Sequence, residues 1–254
     1  MSAISRESVA LVLESRNHSE SDKIVTFYTL ESGKISGIAK GANKSKKRFL
    51  NKLEQFSYIT LNYTEKQRST LVFVTETELI CSFMSLRTDL RRYISGCFII
   101  ETLLIATVER QADKNLFELL HWCLQALEDG KNHLAICTIF LIRLFDCLGY
   151  CPDFSSCRDC GQTFSTTENY SFHHLAGGIS CKKCVNHTSA SSSPISMGTI
   201  RILRSALSEP LERLHRLHFS KQALNQSLKL LHRYTRNLFQ RELQSWKTIR
   251  SMIG

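Results

Sequence analysis

No uninterrupted apolar run in this 254-residue sequence approaches the ~20 residues a membrane-crossing helix needs, and no leading apolar stretch runs into a cleavage site. The expectation is a chain that is neither exported nor inserted into a membrane, and that works in the cytoplasm. Catalytic signatures are missing as well: there is no Gly-x-Ser-x-Gly elbow and no His-Glu-x-x-His pair. The fragment Gly37…Gly41…Lys44-Ser45 comes nearest to a phosphate-binding P-loop. However, Asn43 stands where glycine must precede the lysine, and the glycine spacing fails. Nucleotide hydrolysis is rejected on that ground. The carboxylates offer no acid/base pair, since Glu76 and Glu78 share a strand face that reads as an exposed rim. No segment repeats at a fixed period.

Cysteine, by contrast, is plentiful, with ten in the chain. Cys81, Cys97, Cys123, Cys137 and Cys147 are scattered through helix-like apolar stretches, where a free thiol behaves as a small hydrophobe. That distribution fits a reduced compartment better than a disulfide scaffold. Four others form a C-x2-C-x20-C-x2-C array: Cys157, Cys160, Cys181 and Cys184. Two residues between cysteines let both sulfurs of one tight turn face the same ion, and the second pair closes a tetrahedral thiolate cage. Such a shell leaves no open position for water. The expectation is one structural zinc ion per chain and no metal catalysis. Cys151 and His173-His174 are spare donors beside a shell that four cysteines already complete.

The net charge is +10 and unevenly spread. Residues 1–80 carry 12 Lys/Arg against 9 acids, residues 81–194 carry 10 against 11, and residues 195–254 carry 11 against 3. A surplus of this kind suits a polyanionic partner, most simply nucleic acid, with solubility charge as the plain alternative.

The β-rich runs Ser8–Leu13, Lys23–Leu30, Lys34–Ala39, Gln55–Tyr63 and Thr70–Ile80 predict five short strands with no crossover helix between them. Glu31-Ser32-Gly33 is a compact hairpin connection. Together they suggest a small β-barrel over residues 1–80, and periodicity does not separate an OB-fold from an SH3-like barrel. From Cys81 the texture is helical: Arg91–Val108, a leucine pattern over 116–127 that stops at Asp129-Gly130, and Leu134–Leu148, apolar on nearly every side and so a buried central helix. Gly149 and Pro152 end that helix. The fold class is therefore α+β. The expected division is a barrel at 1–80, a first helical part at 81–150, a zinc segment at 151–187 and a second helical part at 188–254. The last part opens on a Ser-rich linker, Thr188–Pro194, and continues with helices at Ile200–Leu207 and Leu224–Leu238.

The densest basic segment is Lys40-Gly41-Ala42-Asn43-Lys44-Ser45-Lys46-Lys47-Arg48-Phe49. Its cations Lys40, Lys44, Lys46, Lys47 and Arg48 sit at a strand end, interrupted by Gly and Ser, and are expected to form a flexible loop that follows a phosphate backbone. Phe27, Tyr28, Phe56, Tyr58 and Tyr63 are candidates to stack on bases, although alternation sends about half of such residues into a barrel core. In the C-terminal helices the leucines read as core and the cations as solvent-facing. In a functional reading that basic surface would receive an acidic peptide or a second nucleic-acid strand.

These landmarks, in this order, resemble the bacterial recombination mediator RecO family over almost the whole chain. The resemblance is carried by Glu20-Ser21-Asp22-Lys23-Ile24-Val25-Thr26, Gly33-Lys34-Ile35-Ser36, Ala39-Lys40-Gly41-Ala42 with Lys44-Ser45 and Arg48-Phe49, and Phe83, Leu86 and Leu90. Its most specific block is Leu148-Gly149-Tyr150-x-Pro152, Cys157-x-x-Cys160-Gly161 and Gly177-Gly178-x-x-Cys181-x-x-Cys184. Ser196-x-Gly198-Thr199 and Glu242-Leu243-x-Ser245 complete it. The likeness implies an N-terminal OB-fold, a helical domain and an embedded zinc finger. It also implies binding of single- and double-stranded DNA, annealing of complementary strands, and work with RecR to load RecA onto strands coated by single-stranded-DNA-binding protein (SSB), whose acidic C-terminal tail the helical domain holds. The expected function is thus a non-enzymatic mediator of DNA repair and homologous recombination in the RecF pathway, associated with the nucleoid. Two rivals are a zinc-containing adaptor that binds only protein, and a nucleic-acid-modifying enzyme whose catalytic residues meet only in the fold.

Overall fold

The computed structural model describes residues 4–66, 69–165, 170–185 and 191–253. The chain forms two compact units, one from Met1–Leu90 with Ala106–Glu128, the other from Arg91–Ile105 with Asp129–Gly254. The α+β class expected from the sequence is the one observed, with a β-sheet unit first and a helical unit after it.

In the first unit, β1 (Ile4–Asn17), β2 (Lys23–Thr29), β3 (Gly33–Ala39), β4 (Tyr58–Glu65) and β5 (Leu71–Cys81) pair in the closed order β1-β2-β3-β5-β4. β1 is long enough to serve two neighbours: Ala10–Asn17 pairs with β2, and Ile4–Leu11 pairs with β4. A register shift between Val12 and Glu14 bends the strand where one partner gives way to the other. Only β3 and β5 run parallel. Alternation then does what a pleated strand requires: every second residue of β3 is buried, as are Val72 and Val74 of β5. These side chains meet Ala10, Val12, Val25, Phe27, Ile59 and Leu61 in one core.

Two helices complete this unit. The single turn and a half of α1 (Met84–Thr88) has its N-terminal amides closed by the Glu128 carboxylate, which accepts from Ser85 N at 3.1 Å and Leu86 N at 2.7 Å. Glu128 ends α3 (Lys114–Glu128), whose own first turn is capped by Asp113 Oδ1 accepting from Leu116 N. Phe117 and His121 of α3 lie against Tyr28 and Tyr58, with ring centroids 6.5 and 4.6 Å apart. The segment 114–128, grouped by the sequence pattern with the helical part, is thus packed with the strands.

The second unit is built around α4 (His133–Cys147), buried along nearly its whole length and packed by α5 (Met197–Ser208) and α6 (Lys221–Phe239). Arg91–Ile105 of α2 (Leu90–Ala106) and the short α7 (Trp246–Met252) belong here too. Three of these helices start on a short polar side chain: Asn132 caps α4, Ser196 caps α5 and Ser220 caps α6. The Glu101 carboxylate accepts from the amides of Gln244 and Ser245, which positions the start of α7. The expected stop of α4 at Gly149 is present in left-handed backbone, φ 75°.

Between α4 and α5 lies a three-stranded sheet, β6 (Tyr170–His173), β7 (Gly178–Cys181) and β8 (Ser192–Ile195), in the order β7-β6-β8. This corrects the expected linker over Thr188–Pro194. Residues 188–190 lie outside the described residues, but Ser192–Pro194 pairs with β6. β8 is an edge strand, which is where a sheet tolerates a proline. Of the stretch Thr163–His174, residues 166–169 also lie outside the described set.

Gly33 and Gly149 test the backbone independently. Both hold positive φ, but a Cβ at Gly33 would run into the carbonyl of Gln111, whereas one at Gly149 meets nothing within 4 Å. Gly149→Ala should cost about 1–2 kcal/mol, the left-handed strain alone, and Gly33→Ala clearly more. Denaturant unfolding of the two variants checks the order, and the reverse order would contradict it.

Candidate metal centre and nucleic-acid interface

The four cysteines expected to bind metal come together: the sulfurs of Cys157, Cys160, Cys181 and Cys184 all lie within 4.8 Å of one another. Two tight turns deliver them. In the first, Gly161 N donates to Cys157 O at 2.8 Å, and Gly161 itself takes φ 72°. In the second, Cys184 N and Val185 N both donate to Cys181 O at 3.0 Å. The turns are joined across the site, because Cys181 N donates to Cys157 Sγ at 3.3 Å. Cys160 Sγ lies 3.9 Å from Cys181 Sγ, close to the roughly 3.8 Å edge of a tetrahedron with ~2.3 Å zinc–sulfur bonds.

Electrostatics agree with that geometry. Burial opposes ionisation of Cys157, but the amides of Cys181, Cys160 and Asp159 point at its sulfur and bring the thiol down to about 6. The neighbouring thiols of Cys181 and Cys160 push Cys184 up to about 12. Four sulfurs at this spacing admit one negative charge readily and further ones only with a cation among them. The residues present therefore fit a thiolate-bound zinc ion, held by Cys157, Cys160, Cys181 and Cys184. The spare donors are engaged elsewhere: His173 Nε2 meets Ser180 Oγ at 2.9 Å, and His174 Nε2 meets Ser193 Oγ at 2.8 Å. Burial drives the Cys151 thiol up to about 12, and its Sγ faces Pro152 O.

All five cations of the basic segment, Lys40, Lys44, Lys46, Lys47 and Arg48, are exposed. The loop expected here is held at both ends. Ala42 and Phe49 are buried with Leu53 in the barrel core, so apolar residues anchor it on either side of Lys44, Lys46 and Lys47. Ala42–Lys44 forms a 3-10 turn entered through Gly41 at φ 70°. Polar braces add to this. Asp22 Oδ1 accepts from Gly41 N and from Ser21 Oγ, both at 2.8 Å, and Asn43 N donates to Ser21 O at 2.9 Å. Those bonds, the Gly41 amide foremost, hold the Asp22 carboxyl below its ordinary value, so it stays ionised at neutral pH. Thr77 Oγ1 donates to Arg48 O at 2.9 Å, and the Arg48 guanidinium lies 4.9 Å over the Phe49 ring. Sequence reading misses these braces, although Ser21-Asp22 and Lys40-Gly41 both stand among its landmarks. Strand pairing is what brings Lys23 opposite Ala39 and so joins the two.

The aromatic residues expected to stack on bases are corrected. Phe27, Tyr28, Phe56 and Tyr63 are at most 1 % exposed and fill the protein interior. Tyr58 is packed against Phe117 and His121. Alternation accounts for part of this, and a helix that covers the outer face removes Tyr28 and Tyr58 as well.

Two family models match the chain: "Recombination protein O N terminal" over residues 1–83 and "Recombination protein O C terminal" over residues 87–247. The chain is 34 % identical to the DNA repair protein RecO of Syntrophus aciditrophicus, over 94 % of this chain and 92 % of that one. It is 33 % identical to that of Syntrophobacter fumaroxidans, over 94 % and 95 %. The chain belongs to the RecO family. The relative named DNA repair protein RecO from Caldanaerobacter subterraneus subsp. tengcongensis is 29 % identical over 93 % and 94 %. As a RecO-family chain it carries the cysteine cage in the C-terminal match and the basic segment in the N-terminal one.

The cage yields a direct prediction. Purified protein should carry close to one zinc per chain by elemental analysis, and Cys181→Ser should lose most of it while loosening β6, β7 and the helix α6 they adjoin. Zinc far below one equivalent in unchelated protein would contradict the assignment.

Proposed function

We propose that this RecO-family chain is a non-enzymatic DNA-repair and recombination protein that binds single- and double-stranded DNA and anneals complementary strands. The observation that carries the reading is the anchored basic segment, in which Lys40, Lys44, Lys46, Lys47 and Arg48 are all exposed at one end of a five-stranded barrel. Relatives over nearly the full length are named DNA repair protein RecO, which supports the same direction.

In this reading the barrel works as an OB-type platform. Its cations take the place of counterions along the phosphate chain, and the entropy of the released ions supplies the affinity. With phosphates neutralised on two strands, the repulsion that opposes pairing falls, and base pairing itself supplies the sequence specificity. Phe27, Tyr28, Phe56 and Tyr63 are interior, so contact by phosphate rather than by base stacking on these rings carries the binding. Zinc contributes folding free energy and no chemical step. The partners that follow from the family are RecR, the acidic C-terminal tail of SSB on the helical part, and, through these, the RecA filament. The protein acts in the cytoplasm, at the nucleoid.

The test is the combined variant Lys44→Ala, Lys46→Ala, Lys47→Ala, Arg48→Ala. Single-strand affinity should fall, and the slope of log affinity against log salt should flatten by roughly 0.7 for each phosphate no longer neutralised. A slope identical to the unaltered protein's would remove this segment from the DNA site.

A further inference from the structure

A groove of about 810 Å³ lies on the second unit between α6 and α7, and the proposed DNA site on the barrel does not account for it. Lys229, Arg233 and Arg236 line one side at the spacing i, i+4, i+7, which puts them on a single helix face spanning about 10 Å. Lys247 and Arg250 of α7 line the other side. Among the described residues the single carboxylate in the lining is Glu242, exposed, with its oxygens 3.8 Å from Arg236 and 3.9 Å from His232 Nε2. Among the described residues, Lys229, Lys247 and Arg250 have no carboxylate partner at all.

The floor is polar too. His232 is 3 % exposed, and its Nε2 makes no hydrogen bond. Its ring stacks on Trp246 at 3.9 Å with the planes 6° apart, so the indole is already covered. Burial, then the charges of Arg236 and Arg233, push His232 down to about 4, which leaves it neutral and able to donate one N–H at neutral pH. A buried ring nitrogen without a partner, beneath five cations, is a place for an anion oxygen.

Which anion follows from what the groove lacks. An acidic peptide that binds tightly brings an apolar anchor and needs a recess for it. Here the apolar lining is Leu175, 71 % exposed, and Trp246, which is 8 % exposed beneath His232. A phosphodiester chain needs only spaced positive charge and hydrogen-bond donors. A row of about 10 Å is long enough to meet successive phosphates of one strand.

We infer that the α6–α7 groove is a second nucleic-acid site, which takes the phosphate backbone of a single strand, with Glu242 as a built-in competitor that the strand displaces. This rests on the reading of the chain as a protein that brings two strands together. The barrel segment holds one strand and the groove the other. Glu242 keeps the groove's affinity low enough to release the strand once it has paired.

Fluorescent oligo-dT of about 30 nucleotides, titrated against the full-length protein across a salt series, is the probe. Arg236→Gln with Lys247→Gln and Arg250→Gln should flatten the salt slope by about 2, from about 0.7 per phosphate. That reduction should add to the one from the barrel variant. Glu242→Gln should move the other way and tighten binding by about two- to fivefold. A misfolded variant would not give this increase. If the groove variants leave affinity and slope unchanged while the barrel variant reduces both, the groove inference is overturned and DNA binding at the barrel stands. If the unaltered protein does not retain oligo-dT at low salt, both fall. If a glutamate peptide of equal charge displaces the oligonucleotide from the barrel variant at equal concentration, the groove is a peptide site and the inference is overturned.

Discussion

Burial of Ala42, Phe49 and Leu53 in the barrel is the packing on which the candidate DNA surface depends. Lys44, Lys46, Lys47 and Arg48 repel one another, and a free loop would spread them. Fully burying a phenylalanine contributes about 1.5–3 kcal/mol, more than exposed charges at this spacing cost in water. The apolar side chains go inward and leave the charged ones no direction but outward. Asp22 then matters for position rather than strength: it is half-buried at the surface, and its carboxylate ties Gly41 to the turn between β1 and β2.

The second unit gathers four thiols in a cage that could hold a metal ion. Four thiols that cannot all ionise together become a rigid corner once a cation joins them. The corner is transmitted to α6 by named bonds. Tyr234 Oη donates to Tyr150 O at 2.8 Å, Asn237 Nδ2 to His174 O at 3.2 Å, and Arg233 to Ser193 Oγ at 2.7 Å. Gly177 is pressed so close to the Tyr234 ring that a Cβ there would lie 2.8 Å from its oxygen. The small sheet beside the cysteine cage is in this way one wall of the α6–α7 groove, through His174, Leu175 and Ser191. A four-cysteine cage and a basic groove, separate in the sequence, become one construction.

Much of this is legible in the residues, and the rest fails for physical reasons. The strands can be found because alternation is a local signal, and β2, β3 and β5 begin and end within one or two residues of where the pattern puts them. The cage can be found because spacing fixes which sulfurs share a turn. The interior fate of Phe27 and Tyr63 lies within reach of alternation, but that of Tyr28 and Tyr58 does not, since only tertiary packing lays α3 over them. β8 is hidden because Ser192-Ser193-Pro194 has no apolar period, and its pairing comes from β6. Helix α7, at seven residues, is too short to show a period at all, and with it goes the far wall of the groove. The braces of the basic segment are long-range hydrogen bonds, which no local pattern announces.

Fixed cations that lower the repulsion between two phosphate chains are the central claim. Its most direct measurement is the rate at which complementary oligonucleotides hybridise with and without the protein, taken across a salt series. The protein should speed hybridisation strongly at low salt, with the acceleration fading steeply as salt rises. A folded, zinc-loaded protein that binds single strands yet leaves the hybridisation rate unchanged at every salt concentration would contradict it.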